Sequence, residues 1–336
     1  MSNDTLIVSH ADVVRLLPMS ACIDVMADAL AATTRGDALL PLRQMLRVGG
    51  PNLLAVMPAV LGGQQTPASI GAKIITVFPG NDATPYESHI GVVLYFDNEH
   101  GRLLAVIDAS SVTAIRTAAV SGLATRLLSN PGASRLAILG AGVQAMTHLE
   151  AMLAVRPITD VRIWSRTPAK CEAFVRWAKQ TFGIDVQTCA TAEAAVHGAE
   201  IVCTVTASRE PVLHGAWLAP GVHINAVGTA QASARELDTD AVQHSRLFVD
   251  RRESALNEAG DFLVPRAEGA IDDTHIVAEL GEVVVDATRG RVNAAERTIF
   301  KSLGLAVEDV AAAKSIYERA VADGSGTWIT LGGVRV

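Results

Sequence analysis

What this 336-residue chain lacks narrows its class first. Its four cysteines, Cys22, Cys171, Cys189 and Cys203, are scattered, and none forms a C-x-x-C pair. A disulfide framework is therefore not expected, and the chain reads as a reduced, cytoplasmic protein. The nine histidines include no H-E-x-x-H. His148 and Glu150 spell H-x-E, but the cysteine pair that a zinc deaminase needs is absent, so no metal site is read. No apolar run approaches the length of a membrane span. The N-terminal MSNDTLIVSHADVV lacks the basic region and long apolar core of a secretory signal. No basic cluster stands out and the net charge is −7, so nucleic acid is not an expected partner. No internal repeat or low-complexity segment is visible.

The composition is that of a well-buried globular protein, with 49% hydrophobic and 19% charged residues. The length suits two domains. The clearest local signal is Arg135 to Thr167. Leu136-Ala137-Ile138-Leu139 reads as a buried parallel strand. Gly140-Ala141-Gly142-Val143-Gln144-Ala145 then matches G-x-G-x-x-G/A. Gly140 serves the tight turn, Gly142 the approach of a pyrophosphate, and Ala145 the close packing of helix on sheet. A helix to about Val155, ended by Pro157, and a strand Val161–Trp164 complete a mononucleotide-binding unit. After that strand an NAD site usually carries an acid for the ribose hydroxyls. Here the residues are Ser165-Arg166-Thr167, which would pair with a 2′-phosphate instead. NADPH is the expected cofactor, and NADH is the alternative if Arg166 is only a solvated charge.

The rest of the chain reads in order. A short helical turn opens at Ser9 or His10, and Ser20 is expected to cap a longer helix stopped at Gly36. Short β-rich runs follow: Arg43–Val48, Leu53–Val60, Ile70–Phe78, His89–Asp97 and Arg102–Ile107. They predict an antiparallel, hairpin-connected sheet. A helix from Ser110-Ser111 to Leu128 leads to the Gly-rich unit. Beyond it helices Pro168–Thr181 and Thr191–His197 alternate with strands Val186–Cys189, Ile201–Val205, His223–Val227 and Leu247–Val249. This alternation predicts an α/β fold with a Rossmann-type doubly wound parallel sheet. A helix Ala306–Ala322 and a strand Thr327–Leu331 have no place in it and are expected to pack back on the first domain. The boundaries read are 1–113 and 312–336 for a discontinuous α+β substrate and dimerisation domain, and 114–311 for the dinucleotide domain.

Ligands on such sheets bind beyond the carboxyl ends of the strands, where Thr204, Thr206, Ser208, Gly228 and Thr229 are expected. In the first domain three cations sit in apolar settings. Arg43 begins a strand, Lys73 interrupts Gly71-Ala72-Lys73-Ile74-Ile75, and Arg116 is read near the start of a helix. Together they suggest a small anionic substrate. Arg116 would act with its helix N-terminus on a carboxylate. A desolvated Lys73 would have a lowered pKa and carry a proton as the catalytic group.

Several runs together resemble the ornithine cyclodeaminase/mu-crystallin family over almost the whole chain. They are Pro41-Leu42-Arg43, Gly71-Ala72-Lys73, Ser88-His89-Ile90-Gly91, the run from Thr113 to Ala119, Gly140–Ala145, the run from Ile224 to Gly228, the run from Asn257 to Asp261, and the run from Phe300 to Gly304. The resemblance implies a homodimer whose substrate domains pair through their sheets, with substrate contacts at Arg43, Lys73 and Arg116. Val227 and Ser302 lie in two of these runs and are assigned to the cofactor with Val143 and Gln144. Ornithine cyclodeaminases resemble one another in placing Asp two residues after the Asn-Ala-Val-Gly run, whereas this chain has Ala230. The resemblance therefore implies reduction of a cyclic ketimine such as Δ1-pyrroline-2-carboxylate (to L-proline) or Δ1-piperideine-2-carboxylate. Cyclodeaminase or alanine-dehydrogenase-like activity on an open-chain amino acid is one alternative. A crystallin-like NADPH-dependent ligand-binding protein is the other.

Overall fold

A computed structural model describes residues 4–63 and 68–332. Contacts divide the chain into two compact units. One holds the chain up to Arg116 and again from Leu305; the other is Thr117–Gly304.

The first unit starts with β1 (Asp4–Val8), α1 (His10–Leu16) and α2 (Met19–Thr34). Ser9 caps α1 in a reciprocal box with Asp12. The expected cap at Ser20 is displaced: Pro18 is the N-cap of α2, and Ser20 lies inside the first turn. Proline suits that boundary because it has no amide to satisfy and its φ is fixed. Next come β2 (Ala38–Leu39), β3 (Gln44–Gly49), β4 (Asn52–Leu61), β5 (Ser69–Val77), β6 (His89–Phe96), β7 (Leu103–Asp108) and α3 (Ala109–Leu128), in which the division between the units falls. Strands β4 to β7 pair antiparallel in sequence order, as their period-2 pattern demands.

The two faces of that sheet differ. Ala55, Met57, Gly71, Lys73, Ile75, Val93 and Tyr95 are buried on one face. The alternate residues Val56, Ile74, Val92 and Leu94 are half-buried on the other. An antiparallel sheet usually turns polar residues to water on its second face. This one turns aliphatic residues outward.

The second unit continues with β8 (Arg135–Leu139), α4 (Val143–Val155), β9 (Asp160–Trp164), α5 (Pro168–Phe182), β10 (Val186–Thr188), α6 (Ala192–Val196), β11 (Ile201–Thr204) and β12 (His223–Ala226). It ends with α7 (Thr239–Gln243), β13 (Arg246–Val249), α8 (Arg252–Glu258), α9 (Gly260–Ala267), β14 (Ile276–Glu279), α10 (Leu280–Val285) and β15 (Thr298–Lys301). All eight strands are parallel, in the order β10-β9-β8-β11-β12-β15-β13-β14. The chain leaves β8 toward β9 on one side and returns as β11 on the other. That reversal is the topological switch point where such sheets bind ligands. Strands β14 and β15 escape a reading by alternation, because β15 inserts between β12 and β13.

The last segment, α11 (Ala306–Asp323) and β16 (Thr327–Thr330), belongs to the first unit. Strand β16 pairs antiparallel with β1, and β1 pairs parallel with β7. Strand β1 went unread because its few apolar residues run straight into a helix. Helix α11 packs on α2 and on β4, β5 and β6. Among the described residues no helix is long and apolar enough to cross a membrane.

Two buried histidines of the second unit carry a pH signature. His148 Nδ1 donates to the Gln144 carbonyl at 2.7 Å, so its Nε2 accepts from the Ser121 hydroxyl at 2.9 Å. Burial pushes its pKa down to about 4. Burial, then Arg291, pushes His223 down to about 3. A depressed folded-state pKa means that the native state binds fewer protons than the unfolded chain below pH 6.5. Stability present above that pH is lost as pH falls toward 4. The loss is on the order of 3 kcal/mol for His148 alone, at about 1.4 kcal/mol per pKa unit. Heat-unfolding midpoints are expected to decline steadily from pH 6.5 to 4.5; a flat profile over that window would contradict this account.

Candidate active site

The cofactor candidates are gathered in the second unit. Strand β8 delivers its chain to Gly140, whose φ of +119° favours glycine and whose Cβ, if present, would lie 2.7 Å from the Val205 carbonyl oxygen. Gly142 caps α4 without a side-chain bond, and a Cβ there would meet nothing within 4 Å. The amides of Val143 and Gln144 precede the first intrahelical bonds and point, with the helix dipole, toward that open space. The Gln144 side-chain oxygen is buried with no hydrogen-bond partner, and Ala145 is fully buried against the sheet. An open helix N-terminus with free amide donors and a glycine edge fit a dinucleotide pyrophosphate. Ser165, Arg166 and Thr167 follow β9, with Arg166 and Thr167 exposed. The Thr167 amide donates to Ser165 Oγ at 3.3 Å. No carboxylate stands in this turn.

The loop residues after β11 and β12 are arranged differently from expectation. Thr204 is fully buried, and its hydroxyl donates to Glu236 Oε2 at 2.8 Å. The Thr206 hydroxyl donates to Glu236 Oε1 at 2.6 Å. Both hydroxyls are turned inward on a carboxylate rather than outward, so Thr204 supports the loop from beneath. Val227 is half-buried, and Gly228 is exposed at the strand end. Ser302 is buried, its amide donating to the Ala226 carbonyl at 3.0 Å.

The substrate candidates lie in the first unit. Lys73 sits on the inner face of β5, an interior strand rather than an edge, and is 2% exposed. Its Nζ is 2.8 Å from Asp309 Oδ2 and 3.4 Å from Thr113 Oγ1. Arg116 donates from Nε to Asp309 Oδ1 at 3.0 Å and from Nη1 to Glu308 Oε2 at 2.9 Å. Glu308 and Asp309 begin α11 and are fully buried. Asp309 thus brings Lys73 and Arg116 together. Arg43, half-buried just before β3, acts on Lys73 through its field.

Two expectations about this cluster change. Helix α3 begins at Ala109, so Arg116 lies two turns in. Its helix N-terminus is too far away to assist it, because dipole effects fade within the first turn. Nor are Lys73 and Arg116 isolated cations, since α11 supplies two acids. Sequence reasoning missed those acids, although the signal was there: Glu308-Asp309 interrupts Leu305–Ala313 much as Lys73 interrupts its strand.

Burial lowers the Lys73 pKa to about 8; Asp309 opposes the shift, and Arg116 and Arg43 reinforce it. Burial alone would raise the Asp309 carboxyl, but Arg116 and Lys73 bring it below the usual carboxylate range. A lysine in this state can hold a proton near neutrality and give it up under mild demand.

The family model of the ornithine cyclodeaminase/mu-crystallin family matches residues 3–324. The chain belongs to that family. It is 42% identical over 284 residues to a ketimine reductase mu-crystallin of Mus musculus, covering 84% of this chain and 86% of that one. It is similar to the structure of Thermococcus litoralis Δ1-pyrroline-2-carboxylate reductase in complex with NADH and L-proline. There the TM-score is 0.92 and the identity 36%, over 96% of this chain and 99% of that one. It is also similar to an archaeal alanine dehydrogenase dimer with bound NAD, at a TM-score of 0.91 and 31% identity, over 98% and 100% of the two chains.

The acid pair gives a direct test of the cluster. Asp309→Asn leaves two buried cations with one carboxylate, and removing one partner of a buried ion pair costs about 3–5 kcal/mol. Urea unfolding should register that loss; a change under about 1 kcal/mol would mean that the charges are not buried as described.

Proposed function

We propose that the protein is an NAD(P)H-dependent reductase of a small cyclic ketimine carboxylate, such as Δ1-pyrroline-2-carboxylate (to L-proline) or Δ1-piperideine-2-carboxylate. The observation that carries this reading is the buried Lys73–Asp309–Arg116 arrangement, in a chain that also holds a complete dinucleotide turn. The first unit takes the substrate and the second the cofactor.

Arg43 and Arg116 hold the substrate carboxylate. The Nε and Nη1 bonds to the acid pair fix the plane of the Arg116 guanidinium, the group suited to a carboxylate. The reduced nicotinamide, when bound, supplies the hydride for the C=N carbon. Lys73 holds or relays the proton at the imine nitrogen, so that hydride and proton together convert C=N to CH–NH. Gly140, Gly142, Val143, Gln144 and Ala145 cradle the pyrophosphate. Ser165, Arg166 and Thr167 receive a 2′-phosphate, which favours NADPH while leaving NADH usable. Val227, Gly228 and Ser302 border the cofactor, with Thr206 lining it through its backbone.

Open-chain diamine chemistry is disfavoured by Ala230, where a carboxylate would be needed for the side-chain amine. Nearby Asp261 does not substitute for it, because it is engaged by Lys301 at 2.8 Å and by the amides of Glu236 and Leu237. Four free cysteines support a reducing, cytoplasmic setting.

The half-buried aliphatic face of the first sheet supports a homodimer in which two copies cover it for each other. The archaeal relative is itself described as a dimer. Light scattering should give twice the chain mass, and Ile74→Arg should shift the protein to monomer. A monomeric unaltered protein would remove the dimer reading.

The activity test is a panel of pyrroline-2-carboxylate, piperideine-2-carboxylate, pyruvate with ammonia, and ornithine, followed by NADPH and NADH consumption or NAD+ reduction. Cyclic imines should be turned over fastest. Lys73→Ala and Arg116→Ala should each lower kcat/KM about 100-fold or more, and Arg166→Ala should raise the KM for NADPH but not for NADH. Full turnover in both Lys73→Ala and Arg116→Ala, or a preference for ornithine, would defeat the reading.

A further inference from the structure

Glu236 is a buried acid of the second unit engaged by four donors, and nothing in the proposed reaction uses it. It is fully buried in the loop that follows β12. Its Oε1 accepts from the Thr206 amide at 2.7 Å and the Thr206 hydroxyl at 2.6 Å. Its Oε2 accepts from the Thr204 hydroxyl at 2.8 Å and the Gly228 amide at 2.7 Å. One carboxylate therefore joins the ends of β11 and β12 through four donors, which is as many lone-pair sites as a carboxylate has. The fit is close: a Cβ on Gly228 would lie 2.6 Å from Glu236 Oε1 and 2.0 Å from the Thr206 carbonyl oxygen.

Glu236 is itself held. Asp261 Oδ1 accepts from the amides of Glu236 and Leu237 at 2.8 and 2.9 Å. Asp261 Oδ2 takes the Lys301 ammonium at 2.8 Å. Lys301 ends β15, so the chain of bonds crosses the carboxyl ends of β11, β12 and β15, which are neighbours in the sheet. The switch-point crevice opens between β8 and β11, and Gly140 touches Val205 at its edge. Glu236 lies beneath the Thr206 loop that leaves β11, the strand next to β8, from which the Gly140 turn departs.

We propose that Glu236 is a positioning residue for the dinucleotide: its carboxylate sets the Thr206 and Gly228 loops in the geometry that receives the nicotinamide half of the cofactor. The proposal rests on the cofactor reading above and goes beyond it in assigning that half of the site to a buried acid. Preorganised loops bind without first having to be ordered, so loosening them weakens binding rather than folding alone.

Glu236→Gln keeps the shape but sets an amide donor against one of the two backbone amide donors. Glu200→Gln is the control. Glu200 also joins loops, accepting from the Ser134 and Arg135 amides at 2.9 and 3.1 Å, but at the amino ends of the strands. Fluorescence titration with NADPH and NADH, alongside heat unfolding, reads both. Glu236→Gln should raise the Kd of the dinucleotide about tenfold or more, the scale of one lost charge-assisted hydrogen bond. The KM of the imine at saturating cofactor should stay within about twofold. Glu200→Gln should lower the melting temperature and leave Kd unchanged. If Glu236→Gln does not fold, Thr204→Val removes one donor to the same carboxylate from a position with no exposed surface, and it should raise Kd about threefold.

A Kd unchanged within about twofold in the folded Glu236 or Thr204 variant would overturn the proposal. So would a Kd in Glu200→Gln that rises in step with lost stability. Because the readout is binding, an absence of imine turnover would remove the substrate reading without touching this test.

Discussion

The contact on which the first unit depends is the ion cluster joining β5, α3 and α11. Lys73 and Arg116 come from the first third of the chain, Glu308 and Asp309 from its end. Arg116 and Asp309 are 193 residues apart in sequence and 3.0 Å apart in space. None of the four is more than 5% exposed. Buried ion pairs contribute little net stability compared with a well-packed apolar replacement, because desolvation offsets most of the attraction. Their strength is that only one register satisfies them. If α11 slid by a single residue, its acids would leave the sheet and strand two cations in an apolar layer. The cluster therefore ties a helix from the chain's end to one address on the inner face, and β16 follows it to pair with β1.

The same cluster explains how basic residues can sit ready in a dry site. A lysine buried alone would shed its proton well below neutrality. Asp309 limits that fall, and Arg116 and Arg43 keep it from being cancelled, so Lys73 stands at about 8. The second unit solves a related problem with the signs exchanged. Glu236 and Asp261 are buried acids, satisfied by amides, hydroxyls and Lys301 instead of water. Both units use buried charge to fix geometry, while their apolar layers supply the stability.

Much of this was legible locally. The Gly140 turn needs only adjacent residues, because strand, glycine, helix and strand are consecutive. The antiparallel meander needs only a period of two, because β4 to β7 pair with sequence neighbours. The cations at Arg43, Lys73 and Arg116 announced themselves as charges in apolar runs. What escaped was non-local. Strand β15 slots between β12 and β13, and no pattern within four residues encodes that. The inward turn of the Thr204 and Thr206 hydroxyls depends on a carboxylate 30 or more residues away. Arg116 stands about two turns into α3, so the helix terminus assigned to it as a partner is out of its reach although the helix start itself was read to within a residue.

The sequence by itself determined the kinds of element, the dinucleotide turn, and which side chains were chemically out of place in their surroundings. Those depend on short-range sterics and hydrogen bonding, which a window of a few residues contains. Only the tertiary structure decided which of those side chains share a charge. Burial and pairing are properties of distant segments brought together, so Lys73 remained a bare cation until α11 laid Asp309 beside it.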